Sequence, residues 1–238
     1  MTQDPAVPVN EFGQPVGEPL VWQPGEPLVP VTLEGRTCRL VPLEVAHVDD
    51  LFAALCERSS PSTWTYIAAG PFTERAGLAA YVEGQLRAPA TVALAVLLPD
   101  GRAVGIATWL RIDHAMGTAE VGGIVLGSEL QRTTAATEAL TLMMRHAFEV
   151  ARVRRYEWKC DALNAPSRRA AERLGFTLEG VFRQVVHYKG RNRDTAWFSI
   201  TDREWPAVRA AHEAWLDPAN FDDQGRQRSP LVVPRAGS

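Results

Sequence analysis

Thr118-Ala119-Glu120-Val121-Gly122-Gly123-Ile124-Val125-Leu126 is followed by Gln131-Arg132-Thr133-Thr134-Ala135-Ala136-Thr137-Glu138-Ala139-Leu140, and the fold turns on this stretch. The first run is short and mostly apolar, with two glycines in its middle. It reads as a strand carrying a bulge or a close backbone approach. The second run leads into Leu142, Met143, His146, Ala147 and Val150, a spacing of three and four that predicts a helix starting near Thr134. A strand thus runs through a polar turn into a helix whose first free N–H groups point back at the strand end. Such a junction is a ready anion site.

The flanking sequence supplies more strands and helices in a definite order. Val31–Val41 reads as a hairpin turning at Glu34-Gly35, and Leu43, His47, Leu51, Ala54 and Leu55 predict a helix that breaks before Pro61. A second helix is expected over 73–86 with Thr73 as its cap. Thr91–Leu98 and Ala103–Ile112 are strands around the turn Pro99-Asp100-Gly101-Arg102. After the central strand and helix come a strand at 155–160, a helix opened by Pro166 and closed by Gly175, strands to Tyr188 and from Thr195, and a helix from Asp202 to about Leu216. Directly joined strands imply antiparallel pairs, and strands joined through helices imply parallel crossovers. The expected class is mixed α/β, a central, mostly antiparallel sheet of about seven strands with helices on both faces.

The domain is expected to cover 31–216. Residues 1–30 form a Pro-rich extension, read either as a loose tail or as a segment anchored by Val21, Trp22 and Leu28. Residues 217–238 are expected to form a mobile, polar tail with Phe221 as its anchor. The aromatic stretch Trp64, Tyr66, Ile67 reads either as a substrate groove or as tucked core.

A formal charge of −3 argues against a dedicated nucleic-acid binder. Only Lys159 and Lys189 are lysines among 25 basic residues. Three cysteines without metal-ligand spacing, Cys38, Cys56 and Cys160, fit a reducing cytoplasm, and no metal is expected. The N-terminus lacks the pattern of a signal peptide, and no apolar run is long enough for a membrane span.

Several linked pieces of this chain resemble the Gcn5-related N-acetyltransferase family, in the branch of the ribosomal-protein N-terminal (RimJ/RimL-like) acetyltransferases. Glu120-Val121-Gly122 resembles the family's central strand. Gln131 to Ala139 stands where the family has its pyrophosphate loop. Asn164-Ala165-Pro166-Ser167 through Leu174-Gly175-Phe176 resembles its Asn–Ser helix, and Glu179-Gly180-Val181-Phe182-Arg183 the continuation. The likeness covers about residues 31–205. One departure stands out: Thr134 and Ala136 occupy the loop's usual glycine places.

The resemblance implies direct acetyl transfer from acetyl-CoA, as co-substrate, to an amine. Such chemistry needs a proton acceptor for the amine, N–H groups for the diphosphate and a donor for the leaving thiolate. Glu120 is the candidate base, directly or through water, and Ser167 the donor to the thiolate. Asn164 is to hold the pantetheine arm or a water. Ile124, Val125 and Leu126 offer the strand edge, and Gln131, Arg132, Thr133, Thr134, Ala135, Ala136 and Thr137 the diphosphate loop. Each carboxylate or hydroxyl here also has a plain structural reading, as a buried carboxylate or a helix cap. A covalent route through Cys160 would require an exposed thiol. The acceptor is expected to be a protein N-terminus or an amine-bearing small molecule, such as an antibiotic or aminoacyl-nucleotide, with a homodimer possible. A catalytically silent acyl-CoA-binding domain is the non-enzymatic alternative.

Overall fold

The computed structural model describes residues 7–234, and its framework is one eight-stranded sheet in the order β1-β2-β3-β4-β5-β6-β8-β7. The strands are β1 (Leu33–Glu34), β2 (Arg39–Pro42), β3 (Val92–Leu97), β4 (Ala103–Asp113), β5 (Thr118–Leu126), β6 (Arg155–Asp161), β7 (Thr177–Tyr188) and β8 (Arg191–Thr201). Every neighbouring pair is antiparallel except β5 and β6. The helices are α1 (Val48–Phe52), α2 (Arg75–Arg87), α3 (Thr134–Glu149), α4 (Ala165–Arg173) and α5 (Trp205–Leu216). The mixed, mostly antiparallel α/β class is as the sequence implies.

Local chemistry explains most boundaries. Thr133 is extended and its side chain accepts from the Ala136 N–H, so α3 starts at Thr134 as the periodicity predicts. Gly175, at φ +97°, follows the last turn of α4 in the left-handed region that glycine tolerates. Three helices differ from expectation, α5 by starting at Trp205 rather than Asp202. The first is a short α-helix that widens over Ala53–Glu57. The second starts at Arg75, without the Thr73 cap, because Phe72 is drawn into an aromatic cluster with Trp64 (4.9 Å) and Tyr81 (5.7 Å).

The flanking segments are tied to the domain. Trp22 donates its indole N–H to the Arg152 carbonyl at 2.7 Å and Leu28 is buried, while Val21 is exposed. At the other end more than Phe221 is engaged. Trp215 donates to Gln227 at 2.9 Å, Leu231 is buried and Val233 packs at Gly175.

The core has a polar pin at its centre. His212 of α5 is fully buried, 2.7 Å from Thr141 Oγ1 on α3 and 3.0 Å from the Leu174 carbonyl after α4. Burial pushes its imidazole down to about 4, so it is neutral at physiological pH. The Leu174 carbonyl then requires the proton on Nε2, which leaves Nδ1 an acceptor, and the one Thr141 proton lies between Nδ1 and the Thr137 carbonyl at 2.8 Å. Between its ordinary value of 6.5 and about 4, the unfolded chain binds a proton that the folded chain refuses. Stability therefore falls as pH drops through that window, by about 3 kcal/mol from this residue. Denaturant melts at pH 4–7 should show His212→Gln losing that share of the pH slope. An unchanged slope in the variant would assign the acid sensitivity to carboxylates elsewhere.

Candidate active site

The sheet divides at its one parallel seam. β5 and β6 are paired from Thr118–Arg155 to Val121–Trp158 and no further. Beyond that point β5 stays with β4 up to Leu126, and β6 stays with β8 up to Asp161. The backbone of residues 122–126 therefore has no ladder partner on the β6 side. On the β4 side the register slips between Ile106 and Thr108, opposite the glycine pair. Gly123 stands at φ +56°, and a Cβ on Gly122 would lie 2.7 Å from Leu110. Gly123 needs glycine for its dihedral, a side chain at Gly122 would have to displace Leu110, and the pair forms the bulge that the sequence foretells.

Two cavities flank the opening. One, of about 630 Å³, is lined by the start of α3 (Arg132, Thr133, Thr134, Ala136, Thr137), by Leu126, and by Pro166, Arg169 and Arg173 of α4. The other, of about 800 Å³, is lined by Glu120, Ile124, Lys159, Asn164 and Ser167, with Tyr66 and Ile67 at its rim. The aromatic stretch answers to both of its readings: Trp64 is buried, whereas Tyr66 and Ile67 face the cavity.

The loop before α3 is built to present amides. Gln131 reaches back to the Leu126 carbonyl at 2.8 Å and closes the turn. Arg132 takes the left-handed conformation, φ +61°. Among the described residues, the N–H groups of Arg132, Thr134 and Ala135 have no acceptor in the protein, while that of Ala136 is held by Thr133. Gln131, Ala135 and Val125 do not line either cavity. Ala135 and Val125 are buried, and Ala135 offers its carbonyl to Cys38.

Glu120 sits in a buried charge cluster. Its Oε2 is 2.9 Å from Lys159 Nζ and 3.1 Å from Arg111 Nε, yet neither contact is an aligned hydrogen bond. That oxygen is buried between the two cations, and Oε1 has no hydrogen-bond partner among the described residues. Lys159 is also 2.6 Å from Glu157 and lies over the Trp197 ring at 3.7 Å. Glu157 is bridged in turn to Arg155, and Arg155 to Glu179. Burial raises Glu157, but its bonds to Lys159 and Arg155 outweigh that and hold it below the usual carboxylate range.

Asn164 and Ser167 meet at the start of α4. Asn164 Oδ1 accepts the Ser167 N–H at 3.1 Å, which caps the helix. Ser167 Oγ accepts the Trp158 indole N–H at 3.0 Å, so its own proton is left to donate, with the Cys160 sulfur as a neighbouring acceptor. Cys160 is buried and burial pushes its thiol up, which disfavours a covalent thiolate route. Asp161, which lines the same cavity, accepts from Tyr188 at 2.9 Å.

Sequence reading missed Lys159, Arg111, Asp161 and Tyr188. For Lys159 a signal existed: in a chain whose cations are nearly all arginine, its lysines stand at 159 and 189. Lys189 donates to the Trp64 carbonyl at 2.7 Å, next to the cavity rim. Among the described residues no group of three or more His, Cys, Asp or Glu is placed to hold a metal, and no helix is long and apolar enough to cross a membrane.

Comparison with known proteins agrees with this geometry. Residues 38–177 match the family model of the acetyltransferase (GNAT) domain. A GCN5-related N-acetyltransferase from Brucella melitensis is 43% identical with a TM-score of 0.85, the match covering 89% of this chain and 96% of that one. A GNAT-family structure from Chromobacterium violaceum is 33% identical with a TM-score of 0.76, covering 82% and 98%. A Bacillus subtilis protein provisionally named a ribosomal N-acetyltransferase, YdaF, is 30% identical over 109 residues, 46% of this chain and 59% of that protein. The chain thus spans less than two thirds of that relative. With more than half of its length matched by the family model, the chain belongs to the GCN5-related N-acetyltransferase family.

Proposed function

We propose that the protein moves acetyl from acetyl-CoA directly to a primary amine, with Glu120 receiving the amine proton and Ser167 donating to the departing thiolate. One observation carries this reading: at the opening of the β5–β6 seam, Glu120 with an Oε1 that has no hydrogen-bond partner among the described residues, Ser167 with a hydroxyl placed to donate, and the unpaired backbone of β5 border one cavity.

The residues present suit acetyl-CoA. The free amides of Arg132 and Thr134 line the cavity at a helix start, where an anion is favoured by both hydrogen bonds and the helix dipole. The unpaired edge of residues 122–126 supplies N–H and C=O groups for an extended amide-bearing arm. Thioester aminolysis forms a C–N bond and breaks the C–S bond. The amine proton goes to Glu120, directly or through a water, and the thiolate takes a proton through Ser167, which regains one from solvent as Glu120 gives up its own. Asn164, with its carbonyl oxygen committed to the cap, has its amide N–H groups left for the arm or a water.

Two acceptor classes have support. The name of the B. subtilis relative supports a protein N-terminus, in keeping with the ribosomal-protein branch. The size of the Glu120 cavity, about 800 Å³, suits a small amine such as an antibiotic or aminoacyl-nucleotide. Nucleic acid and membrane are not among the partners we propose. A homodimer is, and sedimentation tests it. A silent acyl-CoA-binding domain would bind the cofactor and acetylate none of the peptides, aminoacyl-nucleotides or polyamines in a transfer screen.

Two variants test the assignment. With a true acceptor, Glu120→Gln should lower kcat by ~10²–10⁴ while acetyl-CoA affinity stays within a few-fold, and Ser167→Ala should lose about tenfold. Full kcat for Glu120→Gln across roughly pH 6–9 would make Glu120 structural. Ala136→Glu puts a carboxylate into the anion site and should abolish acetyl-CoA binding in calorimetry. Unchanged affinity would move the diphosphate elsewhere.

A further inference from the structure

The family match ends at residue 177, yet the cavity at the start of α3 is completed by residues beyond it. Trp215 closes α5, and Phe221, Gly225, Arg226 and Gln227 belong to the segment that follows. That segment returns across the mouth of α3 and α4. Four arginines line the cavity, Arg132, Arg169, Arg173 and Arg226, and no carboxylate does.

We infer that the C-terminal segment is a wall of the cofactor site and that Arg226 receives the 3′-phosphate of the CoA adenosine, so that the protein selects CoA over its 3′-dephospho form. The inference rests on the acetyl-CoA reading above. A diphosphate at the α3 amides leaves cationic capacity over. Arg173 is already engaged, with Nη1 3.1 Å from Thr137 Oγ1 and its guanidinium over the Trp215 ring at 4.8 Å. Arg226 is differently placed. Asp222 takes its Nε at 2.8 Å and its backbone N–H at 2.8 Å. Among the described residues its two terminal nitrogens have no partner, the fork that grips a phosphate.

The wall is also stiff, as a selective contact requires. Asn220 ties the Trp215 carbonyl (3.0 Å) to Ser229, whose carbonyl it holds at 3.1 Å and whose N–H it accepts at 2.9 Å. Gln227 accepts the Trp215 indole N–H, and Leu231 is buried beyond it. Phe221 meets Trp215 edge to face at 5.3 Å. The aromatic pair and Leu140, Ala170 and Leu174 give the cavity an apolar side that suits a purine ring.

Calorimetry on the full chain with CoA and 3′-dephospho-CoA decides the matter. The wild type should bind CoA at least about tenfold more tightly than the dephospho form, the worth of a charge-assisted bond. Arg226→Gln should bring CoA affinity down to near that of dephospho-CoA and leave dephospho-CoA affinity unchanged. Arg226→Lys should recover part of the difference. Arg226 is exposed, so the melting temperature of both variants should hold. Equal loss for both ligands, or no loss for either, would overturn the role of Arg226 while leaving acetyl-CoA binding standing. Failure of the wild type to bind CoA at all would overturn the cofactor reading itself, and this inference with it.

Discussion

The separation of β5 from β6 is the constraint on which the rest depends. A parallel pair that stopped pairing inside a closed core would leave backbone amides without partners, at a cost comparable to lost hydrogen bonds. Here the loss falls where a cavity opens on each side of the strand. Each half of the sheet keeps its own ladder, β5 on β4 and β6 on β8, so the opening is held from both sides by antiparallel pairing. The bulge at Gly122–Gly123 turns β5 away, and any side chain there would collide with Leu110 or adopt a strained dihedral.

The charge cluster gives the same opening its electrostatic character. Lys159 is buried between Glu120, Glu157 and the Trp197 face. A buried ammonium tolerates desolvation only with such company. Its presence ties Glu120 on β5 to β6 and β8 across the start of the opening. The base candidate is therefore positioned by the half of the sheet to which it does not belong. Loss of that tie would move the carboxylate as well as change its charge environment.

What could be read from the chain was whatever is local. The period of three and four after Thr134 gave the helix, the glycine pair gave the bulge, and Asn164-Ala165-Pro166-Ser167 gave a capped helix start that the structure reproduces. What escaped was decided at a distance. Thr73 is a good cap by type, but packing of Phe72 on Trp64 and Tyr81 fixes where α2 begins. The tail composition is polar and Pro-rich, yet Asn220, Gln227 and Leu231 fasten it. Lys159 carries no local pattern, because its partners lie 39 and 2 residues away along the chain and meet only through strand register.

The loop's missing glycines follow from the same geometry. Thr134 and Ala136 fall inside the first turn of α3, not in the irregular turn before it. Glycine there would cost a helix about 1 kcal/mol relative to alanine. The position that needs the left-handed conformation is Arg132, which pays ~1 kcal/mol of strain for a non-glycine residue. In return a guanidinium lines the cavity at the point where the free amides converge. Thr133 holds the Ala136 amide, so the donors left open are those at 132, 134 and 135, around the turn rather than along the helix. On the acetyl-CoA reading a diphosphate would meet the amides at 132 and 134 and the Arg132 guanidinium, with charge taking the place of close backbone approach.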